Sequence, residues 1–314
     1  MDAFEANKHS LDVQKKIKEK KDRIKLLRKG ERLVPIFLLF CAGLSVLTTI
    51  GIVVTLVKEA LVFFSEVSPA DFFLNKDWRP WQGDYGVLPL ITGTLLITLI
   101  ATIVAVPLGI ASAIFLSEYA GEKTRKTIKP VLEVLAGIPT VVYGFFALTF
   151  VTPLLETFIP NIKVFNALSA GIVVGIMIIP MIASLSEDAM NSVPNGLREG
   201  ALAMGATKFE VAIKVVLPAA FSGVVASVVL AISRAIGETM IVTIAAGVTP
   251  NFTFDPTESI QTLTAFIVQG TSGDTTYGST IYYSVYAVGI TLFVFTLIMN
   301  LISQRIARRF REEY

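Results

Sequence analysis

Apolar residues in this chain gather in long runs between short polar stretches, without the regular alternation of a half-solvated strand. A helix needs about 20 mostly apolar residues to cross roughly 30 Å of hydrocarbon. Six stretches meet that requirement: 33–57, 87–116, 128–155, 167–185, 217–248 and 281–303. The second, third and fifth are long enough to tilt or to extend beyond the bilayer. The pattern predicts an all-α membrane protein with six transmembrane helices over 33–303, a polar N-terminal segment over 1–32 and a polar tail over 304–314. The first run is too long, and follows too much polar chain, to be a cleavable signal peptide, so it is expected to remain as a membrane helix.

Composition agrees. Hydrophobic residues make up 53% of the 314 and charged residues only 17%, where a soluble domain carries roughly a quarter; the mean hydropathy is +0.67. The net charge of +2 says little, but its distribution orients the chain. Of the Lys and Arg residues, 22 fall in the N-terminal segment, the 117–130 and 186–216 loops and the tail, and 4 in the three alternate loops. Because Lys and Arg favour cytoplasmic loops, both termini are expected in the cytoplasm. Val13, Ile17, Ile24 and Leu27 recur near helical spacing among lysines. Residues 1–32 therefore suit either a basic amphipathic helix on an anionic inner leaflet or a solvated tail. Residues 249–280, rich in Gly, Ser, Thr and Asp, read as an exterior connection. With one cysteine, Cys41, and one histidine, His9, an intrachain disulfide and a metal site of several such ligands are excluded. Cys41 is expected to pack as a small apolar side chain.

The one remaining Lys or Arg, Arg234, lies inside the fifth run, four residues before Glu238. On a continuous helix the two share a face. Each charge at mid-membrane costs on the order of 2.5–3.5 kcal/mol on insertion scales, less when paired toward the bundle interior. Counted from Pro218, Arg234 lies about 24 Å along the helix, toward the outer side. A guanidinium offers a planar fork of donors that fits a phosphate oxyanion, so Arg234 could draw an anion while Glu238 holds and then yields it. The competing reading is an ion pair that only locks the span. Thr92, Thr94 and Thr98 could line a polar path, or simply bond their own helix. Pro107, Gly109, Gly137, Pro139 and Gly144 read as kink or packing positions.

The loop between the fourth and fifth runs carries the most specific signal. It reads Glu199-Gly200-Ala201-Leu202-Ala203-Met204-Gly205, nine residues, then Val215-Val216-Leu217-Pro218. Asn195-Gly196 is a turn signal, 197–204 can form a short helix, Gly205 can end it in a left-handed cap, and Pro218 suits the first turn of the next span. The stretch resembles the EAA motif of ABC-importer permeases, in which Glu-Ala-Ala is followed at fixed spacing by Gly and by Ile-x-Leu-Pro. Gly200 and Val215 depart from the usual Ala and Ile.

Two further stretches, from Gly137 to Phe145 and from Arg234 to Met240, resemble phosphate-importer permeases of the PstC type, and the similarity runs from about residue 87 onward. The resemblance implies the type I ABC-importer permease fold in a bacterial plasma membrane. It also implies a heterodimer with a sister permease (PstA type), two ATPase subunits (PstB type) and an external phosphate-binding protein (PstS type), with no nucleic acid. Glu199, Gly200, Ala201 and Gly205 would then meet the ATPase over a coupling loop at about 188–216. Gly121-Glu122-Lys123-Thr124 lacks the spacing of a phosphate-binding loop, so the chain is expected to be non-catalytic and without a cofactor, with ATP and magnesium held by the partner. A permease for another oxyanion (sulfate or molybdate) is the nearest alternative. An ion-coupled secondary carrier would leave the EAA stretch unexplained, and no nucleophile–base pair suggests an intramembrane enzyme.

Overall fold

The structure, a computed structural model, describes the backbone of residues 2–273 and 275–309 and the side chains of 34–273, 275–302, 304 and 305. The chain divides into two compact units, Met1–Val57 and Lys58–Tyr314. The first lies within the long helix α1 (Asp2–Glu66). The side chains that would decide whether 1–32 is amphipathic lie outside the described residues, as do tail residues 310–314. Cys41 is exposed rather than packed within the chain.

In the second unit α2 (Pro69–Leu74) and a two-stranded ribbon, β1 (Trp78–Arg79) and β2 (Asp84–Tyr85), paired antiparallel, precede α3 (Leu88–Ile114). Then follow α4 (Glu122–Ala136), α5 (Thr140–Phe146), α6 (Thr152–Glu156) and α7 (Ala167–Asn191). A connecting hairpin holds α8 (Asn195–Ala203), α9 (Lys208–Val211) and α10 (Leu217–Ala219). The chain ends through α11 (Phe221–Ile236), α12 (Met240–Ala245), α13 (Leu263–Ser272) and α14 (Thr280–Arg309).

Among the described residues four helices are long and apolar enough to cross a membrane, and two bent pairs, each counted as one span, bring the number to six. The expected third span is not one rod. It bends by 87° between α4 and the segment Thr140–Glu156, at Gly137, Ile138 and Pro139, where the proline restricts the residue before it and has no N–H to continue the helix. No residue of α4 is buried. The chain is likewise bent where the 186–216 loop enters the fifth span, by 74° between Lys208–Ala219 and Phe221–Ile236, and the span itself is broken at Gly237.

α7 is the central helix: 61% of its most apolar 18-residue window is buried, against 28% for α3 and 11% for α14. Glycine brings α3 and α7 together, since a Cβ at Gly109 would meet Ile182 Cβ at 2.7 Å. In lipid, where apolar side chains gain little by leaving the solvent, such close backbone approach drives association. A buried hydrogen bond of 2.6 Å between Ser186 and Ser227 ties α7 to α11.

Residues 249–280, expected to be an exterior connection, include a stretch packed into the protein. Residues 260–266 are buried, and their polar groups are paired: Gln261 donates to Gln269 at 2.6 Å, and the Thr262 and Thr264 hydroxyls share a bond of 3.0 Å. Polar composition here serves internal hydrogen bonding, as buried polar groups require.

Candidate transport and coupling site

Arg234 stands in the last turn of α11, which ends at Ile236. Glu238 therefore does not share a helix face with it. The expected four-residue pair is undone because Gly237 closes the helix, and among the described residues no ion pair joins the two. Glu238 instead sits in the break, buried to 8% exposure. Its Oε1 accepts from the backbone N–H groups of Met240 and Ile241 at 3.2 and 3.4 Å, at the start of α12, where N–H groups lack partners. Its carbonyl accepts from the Thr264 hydroxyl at 2.7 Å. Arg234 is exposed on the isolated chain and makes no hydrogen bond or ion pair among the described residues.

Thr92, Thr94 and Thr98 are buried, and two of them are committed to internal bonds. Thr94 donates to the Leu90 carbonyl at 2.8 Å and accepts from Leu263 N–H at 3.1 Å, at the N-terminus of α13. Thr98 donates to the Thr94 carbonyl at 2.7 Å. This geometry favours a packing role over a path lining, and the three are not carried into the pathway below.

On the opposite end the EAA-like stretch forms a helical hairpin. α8 begins at Asn195 behind Pro194, so Asn195-Gly196 is the first helical turn rather than a separate turn. Gly205 adopts φ +88°. Its N–H donates to Leu202 O at 2.9 Å, and that of Ala206 to Ala201 O at 3.1 Å, the paired bonds of a Schellman cap. Thr207 and Glu210 then start α9 with a capping box. The Glu210 carboxyl, in this charged loop outside the spans, is pushed down to about 2 by the Thr207 backbone N–H, followed by the Lys214 ammonium and the Thr207 hydroxyl. Glu199 is exposed and without a partner in the chain, Gly200 is exposed and Ala201 half-buried. Met204 and Phe209 present large apolar side chains, 89% and 64% exposed.

Three charged residues at this end were not singled out from the sequence. Arg198 donates through Nε and Nη2 to the Glu118 carboxylate at 3.0–3.3 Å. It also donates to the carbonyls of Met190, at 2.7 Å, and Val193. Glu118 lies in a π turn, Phe115–Tyr119, that ends the second span. The third, Glu187, is fully buried on α7 and pairs with Arg125 of α4, while Lys129 Nζ lies 3.0 Å from its Oε2. That contact is an ion pair without hydrogen-bond alignment, since Oε2 has no hydrogen-bond partner. The available signal was Glu187 interrupting the buried face between Ala183 and Met190; nothing local relates Arg198 to a residue 80 positions earlier.

Residues 105–312 match the family described as binding-protein-dependent transport system inner membrane component. A probable ABC transporter permease protein, YqgH, of Bacillus subtilis is 38% identical over 84% of this chain and 88% of its own length. The phosphate transport system permease protein PstC of Pasteurella multocida is 34% identical over 77% and 81%. Among solved structures, a bacterial alginate ABC transporter in complex with its pentasaccharide-bound periplasmic protein aligns with TM-score 0.61 at 17% identity, over 88% of this chain and 96% of that one. The inward-facing MetNI methionine ABC transporter aligns with TM-score 0.55 at 19% identity, over 75% and 100%.

Proposed function

Since the chain belongs to the binding-protein-dependent transport system inner membrane components, and so is a permease subunit of an ABC importer with the type I fold, we propose that its solute is inorganic phosphate. Arg234 would receive the anion. The observation that carries the reading is an arginine, exposed on the isolated chain and without a hydrogen bond or ion pair among the described residues, standing in an apolar span. Facing lipid it would cost on the order of 2.5–3.5 kcal/mol. Facing a pathway shared with a second permease, its guanidinium is a fork for phosphate oxygens. The PstC relatives supply the solute by name. Glu238 does not act as a relay for Arg234 in this reading. By capping α12 it fixes the break that leaves Arg234 at a helix end.

In the same reading Glu199, Gly200, Ala201 and Gly205 form the surface that meets an ATPase subunit, with Met204 and Phe209 as its apolar anchors. The partners are a PstA-type permease, PstB-type ATPases and a PstS-type binding protein, and the hairpin faces the cytoplasm with both termini. ATP and magnesium belong to the ATPase. Closure of the ATPases would move the hairpin and open the pathway outward, and hydrolysis would reset it. The test is ATP hydrolysis by the purified, reconstituted complex. Phosphate-loaded binding protein is expected to stimulate it and sulfate-loaded protein is not; equal stimulation by both would contradict the assignment of solute.

A further inference from the structure

No residue of α8 is fully buried, and its apolar contact with the spans includes Ala201, packed against the cluster that holds Ala113, Met190 and Val216. Among the described residues, every side-chain hydrogen bond from α8 to another element is made by Arg198. Its guanidinium is only 15% exposed, and the Glu118 carboxylate opposite it 9%. The remaining contact is to Asn195 Oδ1 at 3.3 Å, within α8. A planar fork is thus engaged on Nε and both terminal nitrogens. One side meets a carboxylate at the end of the second span, and the other meets the Met190 carbonyl in the last turn of α7, which also accepts from the Val193 N–H at 3.2 Å, and the Val193 carbonyl just beyond that helix. Ser117 reinforces the junction, donating to Glu118 Oε1 at 2.9 Å.

The placement is mechanical as well as electrostatic. Arg198 directly precedes Glu199, exposed on the same short helix. Glu118 lies in a π turn, an irregularity that is frequent at functional sites. Residues 192–194 join α8 to α7 through the backbone and Ala201 packs on the apolar cluster beside it, whereas the polar connection of α8 to the end of α3 runs through Arg198 and Glu118. We propose that Arg198 is a positioning residue that transmits movement of α8 to the second span through Glu118 and braces it on the end of the fourth through the Met190 carbonyl. This rests on the reading of α8 as the surface that meets the ATPase.

The test uses the full complex in vesicles, with phosphate uptake and ATP hydrolysis measured together. Arg198→Lys keeps the charge but loses the fork; Glu118→Gln removes the carboxylate and leaves the guanidinium on α7. Each should lower phosphate taken up per ATP hydrolysed by roughly tenfold or more, the scale of losing charge-assisted hydrogen bonds, while the ATPase still co-purifies. Glu118→Cys with Arg198→Cys, in a Cys41→Ser background and joined by a short reducible cross-linker, should recover the ratio and lose it on reduction. An intact complex whose ratio is unchanged in Arg198→Lys and Glu118→Gln would overturn the proposal. So would a tether that restores nothing. If Arg198→Lys fails to fold, Glu118→Gln and the tether still decide. Failure of the ATPase to bind the unmodified chain would overturn the underlying reading, and the clamp with it.

Discussion

At the scale of single residues, the decisive feature is that Arg234 and Glu238 are separated in role by one glycine. Gly237 closes α11, the carboxylate turns to the N–H groups of Met240 and Ile241, and the guanidinium is left without a hydrogen bond or ion pair among the described residues. Arg234→Gln is expected to lower phosphate uptake about 10- to 100-fold, the worth of a charge-assisted contact, while the variant still co-purifies with its partners; normal uptake would refute the role. The two glycines of the hairpin should behave oppositely. A Cβ at either Gly200 or Gly205 meets nothing within 4 Å, so only backbone conformation decides. Gly200→Ala should stabilise α8 by about 1 kcal/mol, whereas Gly205→Ala, at φ +88°, should cost about 1–2 kcal/mol. Thermal unfolding in detergent checks both.

At the scale of elements, the start of α9 carries a pH dependence whose sign is fixed. The Glu210 carboxyl lies near 2 in the folded chain, below the roughly 4.3 of an unfolded chain, so its ionised form favours the fold. That contribution is present above about pH 4.3 and is lost as pH falls toward about 2. Hydrogen exchange of the amides over Lys208–Val211 should accelerate across that window beyond its intrinsic trend, and Glu210→Gln should abolish the extra dependence. Unaltered protection in the variant would count against the cap. The same hairpin shows how much was legible in the chain: Gly205 as the left-handed cap follows from its place after a short helix. The spans were legible too, because hydropathy reports transfer to lipid. Bends were only half legible. Gly137 and Pro139 signal one, but hydropathy is blind to the 87° turn that sets α4 aside. The packing inside the polar 249–280 segment was not legible, since its Thr and Gln groups pair with each other and the Leu263 N–H bonds Thr94. The pairing of Glu118, Glu187 and Arg198 was not legible either, because their partners come from distant parts of the chain.

At the scale of the molecule, the chain places a lone guanidinium in a broken apolar span and an exposed helical hairpin between the fourth and fifth spans. α7, at the centre, joins the two ends: it packs on α3 and α11, and its Met190 carbonyl receives Arg198. Arg234 stands exposed on the single chain, and the proposed function puts it on a pathway shared with a second permease. The account as a whole therefore requires ATP-driven movement of phosphate by the assembled complex. The most direct measurement is uptake of labelled phosphate into vesicles holding this chain with its sister permease, ATPase and binding protein, with unlabelled sulfate as competitor. Uptake that requires ATP and is indifferent to sulfate is the predicted result. Uptake without ATP, or an ATP-hydrolysing complex that moves no phosphate, would contradict it.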